Sequence, residues 1–179
     1  MTSTSASGRS AGRHDTAGLE WPLKFKSHYF GASTYSTYGC KVFYAGMNRV
    51  DDSEEELQGS SESIGSKYPN NMGAGWGPIP NFPQPAEVTW RSKDGTPHKA
   101  QIDIGEIFKD ELIRHNVARE EIPDSTLASE HSPGIILEVN DQTINVYMRA
   151  HISTRELQEP GNRYSDFRDE LIKVFSRSY

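Results

Sequence analysis

A predicted β-hairpin spanning residues 83–104 is the feature that most constrains this fold. In "PQPAEVTWRSKDGTPHKAQIDI" apolar residues, among them Val88 and Trp90, alternate with polar ones, and a second alternation follows. A period of two is typical of strands with one buried face. The dipeptide at 94–95, Asp-Gly, separates the two runs and favours a tight turn. Any fold for this chain therefore has to accommodate this strand pair.

Two further hairpins are predicted from the same alternation. Residues 23–30 read as a half-buried strand, residues 31–39 are typical of a turn, and residues 40–44 read as a strand that pairs back with the first. Residues 135–148 contain two more alternating runs, separated by turn residues at 140–142. Strand pairs joined by local turns favour an antiparallel sheet.

Two amphipathic helices complete the predicted fold. Apolar residues recur at three- and four-residue spacing in residues 104–116 and again in residues 164–175. Asn162 or Ser165 is the expected N-cap of the second helix. The sequence thus predicts an α+β fold: a mostly antiparallel sheet of hairpins with two amphipathic helices packed on it.

The chain is predicted to form one domain preceded by a tail. Residues 1–18 are rich in Ser, Thr and Gly, have no apolar run, and are expected to be a flexible tail or a remnant of expression cloning. A natural cytosolic protein with a loose start and a replaced export signal both fit; a transit peptide fits least, because the tail has no apolar face. Residues 19–179 are expected to form a single α+β domain.

Two irregular segments precede the central hairpin. Residues 48–75 are acidic, then rich in Ser and Gly, and are predicted to form a long loop. Residues 76–85 contain four prolines, which predict an extended path along a sheet edge or across the core. Trp76 and Phe82 are the expected anchors of this path.

Composition disfavours several classes of function. The chain has 25 acidic and 19 basic residues, a net charge of -6, which is unsuited to nonspecific binding of nucleic acid. Cys40 is the single cysteine, so neither an intramolecular disulfide nor a zinc site of paired cysteines can form. No apolar run approaches the roughly 20 residues that span a bilayer. No motif indicates a cofactor or a metal.

A run of carboxylates is the strongest candidate for contact with a partner. Five of the six residues from 51 to 56 are acidic. Such a run is either simply solvated or presented to a basic cleft on another protein; calcium is a third reading, although the spacing differs from the roughly twelve-residue helix-loop-helix site. Together with neighbouring aromatic residues, the predicted contact surface comprises Tyr35, Tyr38, Asp51, Asp52, Glu54, Glu55, Glu56 and Trp76.

No catalytic residue is predicted from a motif. The six histidines lack the spacings of metal ligands, the adjacent pair Glu130-His131 is typical of a solvated loop, and the glycines of residues 73–77 lack the order of a phosphate-binding loop. A second hypothesis stays open: a small hydrolase or ligand-binding enzyme in which His98, His131 or His151 meets a carboxylate only in the fold. A scaffold without a small-molecule site is a third.

The segment from Tyr29 to Phe108 resembles a known family. The resemblance rests on the strand pattern, on a Gly- and Trp-containing segment before the hairpin, and on a W-x-S-x-D-G-x-x-H arrangement at Trp90, Ser92, Asp94, Gly95 and His98. It is similar to the immunity proteins of type VI secretion phospholipase effectors, which are small Gram-negative periplasmic proteins and often lipoproteins. The resemblance implies a protein that is not an enzyme, and that binds a toxic lipase and blocks its active-site cleft.

The resemblance also sets an expectation for localisation. Cys40 follows "STYG" within a predicted hairpin, so it is not expected to carry a lipid. The expected compartment is the periplasm, with the native export signal absent from this chain, and the cytoplasm is the alternative.

Overall fold

A computed structural model describes residues 19–179. The tail predicted for residues 1–18 lies outside the described residues. The described chain consists mostly of strands with few short helices. The strands are β1 (Ser27–Tyr35), β2 (Thr37–Tyr44), β3 (Met47–Asp51), β4 (Trp76–Pro80), β5 (Ala86–Ser92), β6 (Pro97–Ile102), β7 (Gly134–Asn140), β8 (Thr143–Arg149), β9 (Ile152–Ser153), β10 (Phe167–Arg168) and β11 (Leu171–Ser178).

Two main sheets form the fold, and the helices are single turns. The first sheet has five strands in the order β11-β8-β7-β1-β4, and the second has four in the order β3-β2-β5-β6; β9 and β10 make a separate pair. All neighbouring strands are antiparallel except β1 and β7, which are parallel. The helical turns are α1 (Ile104–Ile107), α2 (Asp124–Leu127) and the 3-10 segments Glu62–Lys67 and Arg119–Glu121. The predicted α+β class, mostly antiparallel sheet, is confirmed.

The inner faces of the two sheets share one hydrophobic core. Phe30 on β1 packs against Tyr44 on β2, with ring centroids 4.3 Å apart. At the other end, the indole Nε1 of Trp90 on β5 donates to the carbonyl of Asp141 in the turn between β7 and β8, at 2.7 Å. The inward residues of both sheets are therefore fixed against each other, while each sheet keeps an outer face.

The two hairpins with the clearest alternation are confirmed. β5 and β6 pair from Ala86 with Ile102 to Arg91 with Pro97, and buried and exposed residues alternate along β5. Gly95 adopts a positive φ of 85°, as the predicted turn requires. β7 and β8 pair along their whole length.

The predicted first hairpin is wrong. Residues 31–35 continue β1 instead of turning, and Ser36, at a φ of 53°, is the single residue between β1 and β2. β1 then joins β7 in the five-stranded sheet, whereas β2 joins β5 in the other. The chain crosses from one sheet to the other at Ser36 because β1 finds its partner in the distant strand β7.

Neither predicted amphipathic helix is present as predicted. In residues 104–116 only the turn α1 forms, with the Asp103 carboxylate accepting from the Glu106 amide at 3.0 Å, and Leu112 then bridges to Lys24. Residues 164–175 contain β10 and the start of β11. A register shift between Lys173 and Phe175 interrupts the two-residue alternation of β11. This bulge takes Val174 and Phe175 out of the two-residue period, which adds to the helix-like spacing of residues 164–175.

The two irregular segments are partly ordered by pairing. The predicted long loop 48–75 includes most of β3 and the 3-10 segment Glu62–Lys67. The proline-rich segment 76–85 begins with β4, which is an edge strand, as one of its two predicted paths requires. Phe82 packs edge-on against Phe25 at 5.9 Å. Trp76 is 43% exposed and is not the predicted anchor.

Candidate functional site

The predicted acidic run lies at the edge of the four-stranded sheet. Asp51 ends β3, the outermost strand, and Glu54, Glu55 and Glu56 are exposed just beyond it. Glu55 and Glu56 make no ion pair with residues 19–179. Asp52 is half-buried and accepts a hydrogen bond from the hydroxyl of Thr34 at 2.7 Å, so it contributes to structure.

The segment that carries the run is tied down along its length. The amides of Asp52 and Gln58 donate to carbonyls of β2, and the amide of Gly39 donates to Ser53. Gly39 has a φ of 55°, and a Cβ there would lie 2.2 Å from the Glu54 carboxylate. The acidic residues are thus held in place by backbone bonds.

Two of the three predicted aromatic contacts, Tyr38 and Trp76, are accessible at least in part. Tyr38 lies under the guanidinium of Arg91 at 4.9 Å, and Arg91 also approaches the Glu54 carboxylate at 3.9 Å. Trp76, the first residue of β4, lies 5.6 Å from the guanidinium of Arg49 on β3. Tyr38 is therefore linked to the acidic edge through Arg91, and Trp76 lies beside the strand that Asp51 ends.

Tyr35 was predicted to be an exposed contact, and this is wrong. It is only 7% exposed because residues 59–75 fold over the outer face of the five-stranded sheet. Its hydroxyl accepts a hydrogen bond from Asn71 of that segment at 2.9 Å, and its ring meets Tyr68 edge-on.

The W-x-S-x-D-G-x-x-H arrangement stabilises the turn between β5 and β6. The hydroxyl of Ser92 donates to Asp94 at 2.6 Å, and the amide of Thr96 donates to the same carboxylate oxygen. These hydrogen bonds, first that from Ser92, lower the pKa of Asp94 to about 2. Because the proton of Ser92 points to Asp94, Nε2 of His98 donates to the serine oxygen at 3.0 Å. This direction is opposite to that of a base activating a serine nucleophile.

The other described histidines also bind neutral groups. Nε2 of His131 donates to the carbonyl of Thr126 at 2.8 Å, and Nδ1 of His115 accepts from the amide of Val117 at 3.1 Å. The ring of His151 stacks on Phe167 with centroids 4.3 Å apart. Between Leu19 and Tyr179, no histidine is hydrogen-bonded to a carboxylate.

His28 is fully buried, and its neighbours fix its tautomer. The amide nitrogen of Asn81 donates to the carbonyl of Phe25 and to Glu111, so the amide oxygen faces His28 and accepts from Nδ1 at 2.8 Å. Nε2 then accepts from the hydroxyl of Tyr44 at 2.8 Å. Burial lowers the pKa of His28 below its ordinary value of 6.5, with the bond to Asn81 opposing. The ring is a neutral structural element.

A buried carboxylate on the outer face of the five-stranded sheet was missed by sequence reasoning. Glu138 on β7 is completely inaccessible to solvent. Four donors face its oxygens: the hydroxyls of Tyr68 and Tyr147 at 2.5 and 3.1 Å, and the amides of Asn145 and Asn140 at 2.8 and 3.4 Å. Burial raises the pKa of Tyr68, and its bond to Glu138 adds to this effect; burial and the Glu138 charge raise the pKa of Tyr147.

This carboxylate joins a distant segment to the sheet. Tyr68 belongs to residues 59–75, and Asn140 also donates to Ser61 of the same segment at 3.0 Å. The signal that could have found the site is a glutamate in the middle of the apolar strand "GIILEVN". A strand buried on both faces holds a charged group only where hydrogen bonds satisfy it.

A cavity of about 250 Å³ lies on the same face, beside the segment 72–74. It is lined by Tyr29, Gly134, Arg149, His151 and Asp169, among others. It brings together the guanidinium of Arg149, the imidazole of His151 and the carboxylate of Asp169.

No protein-family model, curated protein or solved structure matches the chain significantly.

In the part of the chain that the structure describes, no three His, Cys, Asp or Glu side chains are arranged to hold a metal ion. No described helix has the length and apolarity needed to cross a membrane. Burial raises the pKa of the Cys40 thiol to about 12, which leaves it unreactive.

Proposed function

We propose that this protein is an immunity protein that inhibits a secreted phospholipase effector of a type VI system by covering the active-site cleft of that lipase. The observation that carries the proposal is the exposed acidic edge, where Glu54, Glu55 and Glu56 are held by a backbone-bonded segment. Carboxylates fixed in this way suit a basic cleft, because charge complementarity speeds encounter and fixes register. The family assignment itself rests on the sequence resemblance.

The outer face of the four-stranded sheet supports the same proposal. Exposed residues continue from the acidic edge across the sheet, since Asp51 pairs with Lys41, Lys41 with Thr89, and Thr89 with Lys99. Phe43, which is 41% exposed, lies in the next row of this face. Mixed charges around an accessible aromatic residue have the composition of a protein interface.

The proposed contact surface consists of the acidic edge together with two aromatic residues, Tyr38 and Trp76. Tyr38 and Trp76 each lie beside an arginine, Arg91 and Arg49 respectively, and both aromatics are accessible at least in part. Rigid aromatic side chains contribute strongly to binding where partner atoms exclude water around them. Tyr35 is not part of this surface, because it is buried.

A charge-reversal experiment tests the proposal. The variant Glu54→Lys/Glu55→Lys/Glu56→Lys is compared with Glu120→Lys/Glu130→Lys/Glu156→Lys, a matched control that changes the same charge at exposed positions elsewhere. Pull-down and inhibition of ester hydrolysis are measured with the lipase effector encoded beside this chain. We expect loss of both for the first variant and wild-type behaviour for the control.

Two results would contradict different parts of the proposal. Equal binding by both triple variants would remove the acidic edge from the interface. A lipase that neither binds the wild-type chain nor loses activity with it would refute the inhibitory function. We also propose a periplasmic location from the resemblance, and fractionation of the native host's cells tests it separately.

A further inference from the structure

The cavity beside the segment 72–74 exists because the strand row that floors it carries a glycine. Tyr29 on β1, Gly134 on β7 and Arg149 on β8 are neighbours across the five-stranded sheet. Gly134 has no side chain to fill the space between the tyrosine and the arginine. A Cβ at Gly134 would approach the Cβ of Ala74 to 3.0 Å, so the overlying segment lies directly against this row.

Arg149 builds the wall of the cavity and retains unused hydrogen-bonding capacity. One terminal nitrogen donates to the carbonyls of Asn70 and Met72, at 3.0 and 3.3 Å, which holds the segment over the sheet. The other terminal nitrogen makes no hydrogen bond with residues 19–179 and is not among their buried unpaired atoms, whereas Nε is buried there without a partner. A buried donor without a partner is costly, and arginine presents its donors in a planar fork that matches a carboxylate.

Asp169 brings an opposite charge to the same cavity. It lies just before β11, where Leu171 pairs with Arg149. No salt bridge within 4.0 Å joins Asp169 to Arg149 or to any other cation in residues 19–179. Two opposite charges that line one cavity without pairing leave room for a ligand that pairs with both.

We infer that this cavity binds a free α-amino acid, with its carboxylate on Arg149, its ammonium group on Asp169 and an apolar side chain against Tyr29 and Ala74. The anionic Asp169 disfavours a phosphate dianion, whereas a zwitterion is neutral and matches both charges. The volume of about 250 Å³ is below the roughly 300 Å³ at which pockets for drug-sized ligands begin, and this suits a single amino acid. The site is independent of the proposed lipase inhibition and lies on the other sheet.

Calorimetric titration of the full chain with single amino acids tests the inference. Leucine, methionine and alanine are compared with 4-methylpentanoate, which lacks the amino group, with isopentylamine, which lacks the carboxylate, and with inorganic phosphate. We expect an apolar amino acid to bind at least tenfold more tightly than either single-charge probe. Arg149→Met should abolish this binding.

Asp169→Asn keeps the experiment decisive if Arg149→Met disturbs the segment 72–74. Asp169 is exposed and makes no side-chain hydrogen bond within the described residues, so this variant should fold normally. It should weaken the amino acid by about tenfold and leave 4-methylpentanoate unaffected or improved. Asp166→Asn, an exposed neighbour outside the cavity lining, is the matched control and should bind as the wild type does.

Three outcomes would overturn the assignment. The first is no detectable binding of any amino acid at millimolar concentration. The second is inorganic phosphate binding more tightly than every amino acid, because the cavity would then be an anion site. The third is unchanged amino-acid affinity in Asp169→Asn, because the ammonium group would then have no contact with that carboxylate.

Discussion

Replacing Glu138 by glutamine tests whether the buried carboxylate holds residues 59–75 on the five-stranded sheet. Glutamine keeps the shape of the side chain but replaces one acceptor oxygen by an amide donor. That donor would face either Tyr68 and Asn140 or Tyr147 and Asn145, all of which now donate to Glu138. In the variant the new amide donor would therefore face groups that are themselves donors, at a position that solvent does not reach.

The expected cost follows from the four hydrogen bonds. A hydrogen bond to a charged group contributes about 1.5–3 kcal/mol, and a neutral one about 0.5–1.5 kcal/mol. Rotation of a tyrosine hydroxyl, or a flip of Asn145, whose Oδ1 is buried without a partner among the described residues, recovers part of the loss. We expect Glu138→Gln to lower the free energy of unfolding by about 2–4 kcal/mol.

Urea unfolding followed by fluorescence measures this change. With a slope of about 2 kcal/mol per M, the midpoint should fall by about 1–2 M. Glu87→Gln is the matched control, because Glu87 is an exposed strand carboxylate on the other sheet, and its midpoint should not move. An unchanged midpoint in Glu138→Gln would refute the idea that the hydrogen-bonded carboxylate of Glu138 stabilises the fold.

Three further predictions concern other parts of the fold. Burial lowers the pKa of His28, so below pH 6.5 the unfolded chain binds more protons than the folded chain, and the free energy of unfolding should fall as the pH drops through that value. The difference in urea midpoint between the wild type and His28→Gln, measured from pH 7.5 to 5, should show this loss of stability. Gly31→Ala should cost about 1–3 kcal/mol in thermal melts, because its Cβ would lie 2.0 Å from the carbonyl oxygen of Gly73, whereas Gly73→Ala, with open space at its own Cβ, should cost less. Trp90→Phe should cost about 1–3 kcal/mol through lost volume and the lost bond to Asp141, and a melting temperature equal to wild type would contradict this.

The elements that could be predicted from the sequence are those specified by neighbouring residues. The β5–β6 hairpin follows from its alternation and from Gly95, which adopts the positive φ its turn requires. The change of sheet at Ser36 has no such local signal, because its cause is the pairing of β1 with a strand about a hundred residues later. The bulge after Lys173 likewise depends on strand pairing. Where the edge strand β11 shifts register, the two-residue period is lost, and this adds to the helix-like spacing of the sequence.

The candidate sites divide in the same way. The exposure of Glu54 to Glu56 could be predicted, because three consecutive charged side chains contain no apolar residue that could be buried in a core. The burial of Tyr35 could not, because its cover comes from residues 59–75, which have few apolar side chains and show no periodicity. What holds that segment is polar: Tyr68 bonds to Glu138, and Arg149 bonds to its backbone carbonyls.

The segment 59–75 therefore makes the two outer faces of the molecule chemically different. It covers the outer face of the five-stranded sheet so closely that Gly31 meets the backbone of Gly73, and it leaves a cavity where Gly134 lacks a side chain. Among residues 19–179 nothing covers the outer face of the four-stranded sheet in this way, and residues such as Lys41 and Thr89 are exposed there. The proposed protein contact therefore lies on the second face and its acidic edge, whereas the proposed amino-acid site is the cavity on the first face. The proposed inhibition and the proposed amino-acid site can accordingly be disrupted one at a time, by substitutions on opposite sides of one shared core.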